Sequence, residues 1–161
     1  MAEREKVKKP ESPDFTPYNV PLDDEFQAWL QELCLSSGVD YSIVISIAEK
    51  ESNFHPKAIS QTNDYGMWQI NKINHATLEK ELGRELDMMN LYDNAESAVW
   101  ILSRLMKKYD GDWEKVLMAY NMGETGAGRL WEKGITKSRY SDSVLAKAYW
   151  YENNYFIAKG Y

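Results

Sequence analysis

Apolar residues recur along most of this chain at helical spacing, and they nowhere alternate long enough for an extended sheet. From Leu22 onward Phe26, Trp29, Leu30 and Leu33 form one stripe, and Gly38 ends that segment. Tyr41 to Ser52 reads as a second helix. The polar stretch Ser60 to Asp64 then leads into a short apolar run, Tyr65 to Ile70, which reads as a loop or small hairpin. His75 to Leu82 predicts a short helix closed by Gly83. Asp93, with Glu96 three positions later, is an N-terminal capping signal, and behind it Ala98, Val99, Leu102, Leu105, Met106 and Tyr109 share a face. Trp113, Val116, Leu117 and Tyr120 make the next stripe, Gly123 sits where a helix would stop, and Tyr140 to Tyr155 is a last helix. The fold class is mainly α, a helical globule with at most a small β-hairpin. Residues 1–20, rich in Lys, Glu and Pro, read as a flexible tail or linker, which leaves 21–161 as one domain.

The second helix carries an anomaly. At 100° per residue Val44, Ile47, Ala48 and Glu51 fall in one narrow sector, while Ser42, Ser46, Glu49 and Lys50 take the opposite side. Glu49 is expected to be an ordinary solvated carboxylate. Glu51 lies on the apolar stripe, where burial disfavours the charged form and raises the pKa. A carboxyl that keeps its proton near neutral pH is what acid-catalysed cleavage of a glycosidic bond requires. The competing reading is a Glu at a helix end, partly exposed at the lip of the core.

Composition narrows the function. The 161 residues suit one domain with a sizeable core, and the net charge of −6 argues against nucleic acid. No run of 18 or more apolar residues spans a membrane. Cys34 is the only cysteine, so an intramolecular disulfide is impossible and the thiol is expected to be a small buried residue. Neither that thiol nor the pair His55 and His75 suggests a metal site, and no cofactor is implied. Six Trp and eleven Tyr suit both a core and a sugar-binding cleft; Trp68, Trp113 and Trp150 are expected in the core.

Three motifs follow in order: Glu51-Ser52-Asn53-Phe54-His55-Pro56-Lys57-Ala58-Ile59-Ser60, then Gly66-Met67-Trp68-Gln69, then Ala119-Tyr120-Asn121-Met122-Gly123. They resemble the SLT-type lytic transglycosylases, relatives of goose-type lysozyme, over roughly residues 25 to 150. The matches are Glu51, Ser52, Phe54, Pro56, Ala58 and Ser60 in the first motif, Gly66 and Gln69 in the second, and Ala119, Tyr120, Asn121 and Gly123 in the third.

The resemblance implies a lysozyme-like fold and an enzyme acting on peptidoglycan glycan strands outside the cytoplasm, as a monomer and without a cofactor. It implies that Glu51 protonates the MurNAc–GlcNAc bond and then takes the proton of the MurNAc C6 hydroxyl, giving 1,6-anhydroMurNAc ends. Ser60, Tyr65, Gln69 and Asn71 would line the cleft, Tyr120 would hold Glu51 with Asn121 fixing that turn, and Tyr140 fits the tyrosine of a fourth element. Two departures stand out. Thr136-Lys137 replaces the Glu-Thr pair that many relatives carry before that tyrosine, and Asp64 stands where many have a small residue. Thr62 to Asn71 also resembles the animal-type lysozyme hairpin, in which an Asp here is a second catalytic carboxylate; the other reading of Asp64 is an Asx turn entering the hairpin. Three functions therefore stand: a transglycosylase using Glu51 alone, a muramidase using Glu51 with Asp64, and a non-catalytic glycan-binding module. The charged start, Met1 to Pro10, lacks the apolar core of a signal peptide.

Overall fold

A computed structural model describes residues 15–158. Its helices are α1 (Asp24–Ser37), α2 (Tyr41–Ser52), α3 (His75–Leu82), α4 (Leu91–Lys108), α5 (Trp113–Met122), α6 (Glu124–Glu132) and α7 (Arg139–Ala158). Two short strands, β1 (Asp64–Tyr65) and β2 (Ile70–Asn71), pair antiparallel with Asp64 opposite Asn71. The mainly α fold with one small hairpin agrees with the sequence pattern.

The core closes around α2. Ile43, Val44, Ile45, Ile47 and Ala48 are all buried, and so are Ser42 and Ser46, which periodicity placed on a solvated face. The reason is that α2 is covered on more than one side. Along its length α7 lies antiparallel to it: Ser42 donates to Glu152 at 2.6 Å, Tyr151 donates to Glu49 at 2.9 Å, and Tyr140 reaches Glu51 at the far end. Glu49 is therefore not a free solvated carboxylate. It accepts from Tyr151 and lies 3.4 Å from the Lys147 ammonium. Ser46 satisfies itself on the Ser42 carbonyl one turn back, which lets a hydroxyl sit in the core.

Helix ends mostly follow the glycines and capping residues. Gly38 and Gly83 close α1 and α3 in the left-handed region, as their positions predicted. The cap of α4 is a correction: Asn90, not Asp93, accepts from the Tyr92 and Asp93 amides. Asp93 and Glu96 instead grip Arg84, and Asp93 also accepts from the Asp87 amide, which ties down the α3–α4 loop. Helix α6 was not anticipated, since Gly126 and Gly128 weaken its helix propensity.

Residues 1–14 of the expected tail lie outside the described residues. Within 15–20, Tyr18 hydrogen-bonds Gln27 and its ring stacks on Tyr151 at 5.1 Å, so packing begins before the predicted boundary. Cys34 is buried in α1, and burial, aided by the Asp40 charge, pushes its thiol up to about 12. Of the three tryptophans expected inside, Trp68 is fully buried, Trp113 is half-buried, and Trp150 is exposed beneath Lys147. No helix among the described residues is long and apolar enough to cross a membrane.

Candidate active site

Glu51 occupies the last turn of α2, where the buried helix meets a cleft of about 980 Å³. The helix stops abruptly after it. Asn53 and Phe54 both adopt positive φ, 50° and 63°, a conformation that Asn tolerates and that a bulky ring adopts only when its surroundings hold it there. Phe54 is packed against the core, which supplies that hold. Ser52, next to Glu51, donates to the Met67 carbonyl at 2.8 Å and fastens the hairpin loop to the helix end.

Four more contacts pin the loop between β1 and β2. The Trp68 indole donates to the Val44 carbonyl at 2.8 Å, and its backbone amide donates to Asn94 at 2.8 Å. Asn94 donates in turn to the Tyr65 carbonyl at 2.7 Å. Tyr120 donates to the Trp68 carbonyl at 2.7 Å. Gly66 is obligatory here, since its φ is +78° and an added Cβ would stand 2.3 Å from Asn94 Nδ2 and 2.6 Å from the Met88 carbonyl oxygen.

The two carboxyls of this region are held in opposite states. Burial raises the Glu51 pKa, the nearby Asp64 charge adds to the rise, and a 2.7 Å hydrogen bond donated by Tyr140 opposes it. Burial acts on Asp64 in the same sense, yet donation from Thr62 at 2.6 Å, Ser60 at 2.7 Å and Asn71 at 2.9 Å outweighs it and lowers the Asp64 pKa. Both side chains line the same cleft. One carboxyl is biased to keep its proton and the other to stay ionised, which is the division a glycosidic cleavage uses.

The expected contacts are partly rearranged. Tyr140, not Tyr120, holds Glu51; Tyr120 lines the cleft but spends its proton on Trp68. Burial keeps both phenols neutral by raising their pKa well above the ordinary range. Asn121 lines the cleft, exposed, and makes no hydrogen bond to the turn among the described residues. Gln69 and Asn71 line it as expected, although the Gln69 amide nitrogen is taken up by the Ala58 and Gly66 carbonyls. Ser60 stands behind Asp64, and its neighbour Thr62, which the motifs did not single out, lines the cleft instead. Tyr65 packs its ring edge-on to His75, away from the cleft lining. Asp64 makes no Asx turn, because its carboxylate accepts from side chains and Asn63, at φ 62°, makes the bend. Asn94 was missed, although it lies four positions before Ala98 on the apolar face of α4, an unusual place for an amide.

The sequence model of the transglycosylase SLT domain family matches residues 29–142. The chain belongs to that family. It is 35% identical over 114 residues to the peptidoglycan transglycosylase gp16 of Escherichia phage T7, a match covering 70% of this chain and 8% of that protein. It is also 35% identical over 88 residues to protein IpgF of Shigella flexneri, covering 51% of this chain and 57% of that one. A third relative, the membrane-bound lytic murein transglycosylase D of Escherichia coli, is 35% identical over 75 residues, 17% of its length. The chain thus spans less than two thirds of each of these relatives. Its fold matches an inactive mutant of the lytic transglycosylase Slt of Pseudomonas aeruginosa with TM-score 0.68 at 19% identity, covering 80% of this chain and 24% of that one. The 70 kDa soluble lytic transglycosylase of Escherichia coli gives the same TM-score at 18% identity.

Proposed function

We propose that this chain is a peptidoglycan lytic transglycosylase in which Glu51 is the single acid and base. The observation that carries the reading is the Glu51 carboxyl at the end of a buried helix, facing the cleft with a raised pKa and a fixed orientation on Tyr140. The family match and the transglycosylase names of two relatives support the substrate class, glycan strands of the cell wall outside the cytoplasm. The transglycosylase domain would begin near Tyr18, which already packs on Gln27 and Tyr151, rather than at residue 21.

In the first step Glu51 gives its proton to the glycosidic oxygen. The bond from MurNAc C1 to that oxygen breaks, GlcNAc leaves with a 4-hydroxyl, and positive charge develops at C1 and the ring oxygen. In the second step the MurNAc C6 hydroxyl attacks C1 and passes its proton to the Glu51 carboxylate, which restores the acid. No water is consumed. Neither step draws on Asp64, whose carboxylate lines the same cleft.

The muramidase reading rests on the same Asp64. Three hydrogen bonds occupy most of its roughly four acceptor sites and lower its basicity, so it suits a fixed charge better than a nucleophile. Mass analysis of fragments released from purified sacculi tests the choice. Anhydro ends unchanged by borohydride are expected; reducible ends one water heavier would overturn the transglycosylase reading.

A further inference from the structure

Beyond Glu51 the cleft runs along α4 to the α5–α6 junction, where Trp100, Ile101 and Arg104 line it together with Met122, Gly123 and Glu124. Arg104 is the one basic side chain among the described cleft-lining residues. Its Nη2 donates to Glu124 Oε1 at 2.7 Å, while Lys108 and Tyr109 donate to Glu124 Oε2. Lys108 first, then Arg104 and Tyr109, hold the Glu124 carboxylate down to about 2 against the opposing effect of its partial burial. Two cations thus share the Glu124 carboxylate, and of the two only Arg104 lines the cleft.

The guanidinium is anchored but not used up. It is 44% exposed, and its remaining N–H groups donate to no protein acceptor among the described residues. A planar fork with free parallel donors matches a carboxylate, which it can bind through two hydrogen bonds. In a glycan strand GlcNAc is neutral. MurNAc carries an O3-lactyl group whose carboxyl is either free or joined to a stem peptide that has carboxylates of its own. We infer that Arg104 is a specificity-determining residue that binds a substrate carboxylate at the α5–α6 end of the cleft, an inference resting on the glycan-cleaving reading above. Glu124 is its positioning partner.

The test uses the Glu51→Gln chain, so that ligands stay uncleaved, and compares three probes by calorimetry. They are chitotetraose, which has no carboxylate; a GlcNAc–MurNAc tetrasaccharide with free lactyl carboxylates; and the same tetrasaccharide bearing stem peptides. Adding Arg104→Gln is expected to weaken a carboxylate-bearing probe about tenfold or more relative to chitotetraose, the size of a lost charge-assisted hydrogen bond. A loss on the bare tetrasaccharide assigns the lactyl carboxylate; a loss confined to the stem-bearing probe assigns the peptide. Arg104→Lys, which keeps the charge and the Glu124 pairing but loses the fork, should recover part of the selectivity and carries the comparison should Arg104→Gln not fold. Equal losses on all three probes, or none on the two charged ones, overturn the inference. Failure of the folded Glu51→Gln chain to bind any probe overturns the glycan-cleaving reading as well.

Discussion

The Glu51 carboxyl is pulled two ways, upward in pKa by burial and by Asp64, downward by the Tyr140 hydroxyl. Because folding raises its pKa, the native state holds this proton more tightly than the unfolded chain. The group therefore favours folding at low pH, and that contribution is lost as pH rises through the folded-state pKa. Glu51→Gln needs no ionisation, so its Tm relative to the natural chain should rise from acidic to alkaline pH while release of glycan fragments is abolished. A Tm difference that ignores pH would mean the carboxyl is unperturbed. Tyr140→Phe removes the donor that favours the charged form. Under the proposed mechanism activity requires protonated Glu51, so the alkaline limb of the pH–rate profile should move upward, while the maximal rate falls about tenfold as the carboxyl loses its orientation. A limb that moved downward would refute the role given to Tyr140.

At Asp64 the hydrogen-bond directions are forced. Ser60 Oγ already accepts from the Thr62 and Asp64 amides, so its own proton has to go to the carboxylate. Asp64→Asn would turn an amide N–H toward one of these donors, or leave Asn71 without its acceptor. A stability loss of about 1–3 kcal/mol in denaturant melts is expected, the size of an unsatisfied polar group. Under the transglycosylase reading the surviving enzyme still makes anhydro ends. An inactive but fully stable Asp64→Asn protein would return the case to the muramidase.

Among the elements, helix phases and terminators were written plainly in the pattern: α2 and α3 begin and end where periodicity, Ser52 and Gly83 said they would. What local periodicity could not carry was coverage by a distant partner. Ser42, Ser46 and Glu49 looked solvated because nothing near them in sequence announces α7, which follows about a hundred residues later. The same limit gave Tyr120 the contact with Glu51 that Tyr140 makes, since both are tyrosines in expected motifs and only the packing of α7 on α2 decides which reaches Glu51. Glycine at position 66 was legible as a motif match, but its physical reason, a positive φ and the approach of Asn94, needed the fold. That reason makes a sharp prediction. Gly66→Ala meets both a positive φ and a Cβ closer than contact distance to Asn94 and to the Met88 backbone, so it should destabilise the protein by about 2–4 kcal/mol. Urea titration measures this; a loss below about 0.5 kcal/mol, the range of an ordinary surface change, would show that the loop is not locked to α4.

For the molecule as a whole, the net charge of −6 sets how it meets its proposed substrate. Sacculi carry stem-peptide carboxylates and are anionic, so the long-range field opposes encounter even though Arg104 offers one local attraction within the cleft. Such a field acts mainly on the association rate and is screened by salt, with a Debye length of about 30 Å at 0.01 M and about 8 Å at 0.15 M ionic strength. A contact within the cleft lies well inside either length, so salt should relieve the repulsion more than it weakens the Arg104 contact. Initial rates of fragment release from sacculi, taken below saturation, are therefore expected to rise severalfold as ionic strength goes from about 0.01 M to about 0.15 M. The rise should be smaller on sacculi whose stem-peptide carboxylates have been chemically amidated, since that removes the negative charge that opposes encounter. A rate that falls steadily with salt on both would mean that local cationic contacts, not the overall charge, govern how the protein engages the wall.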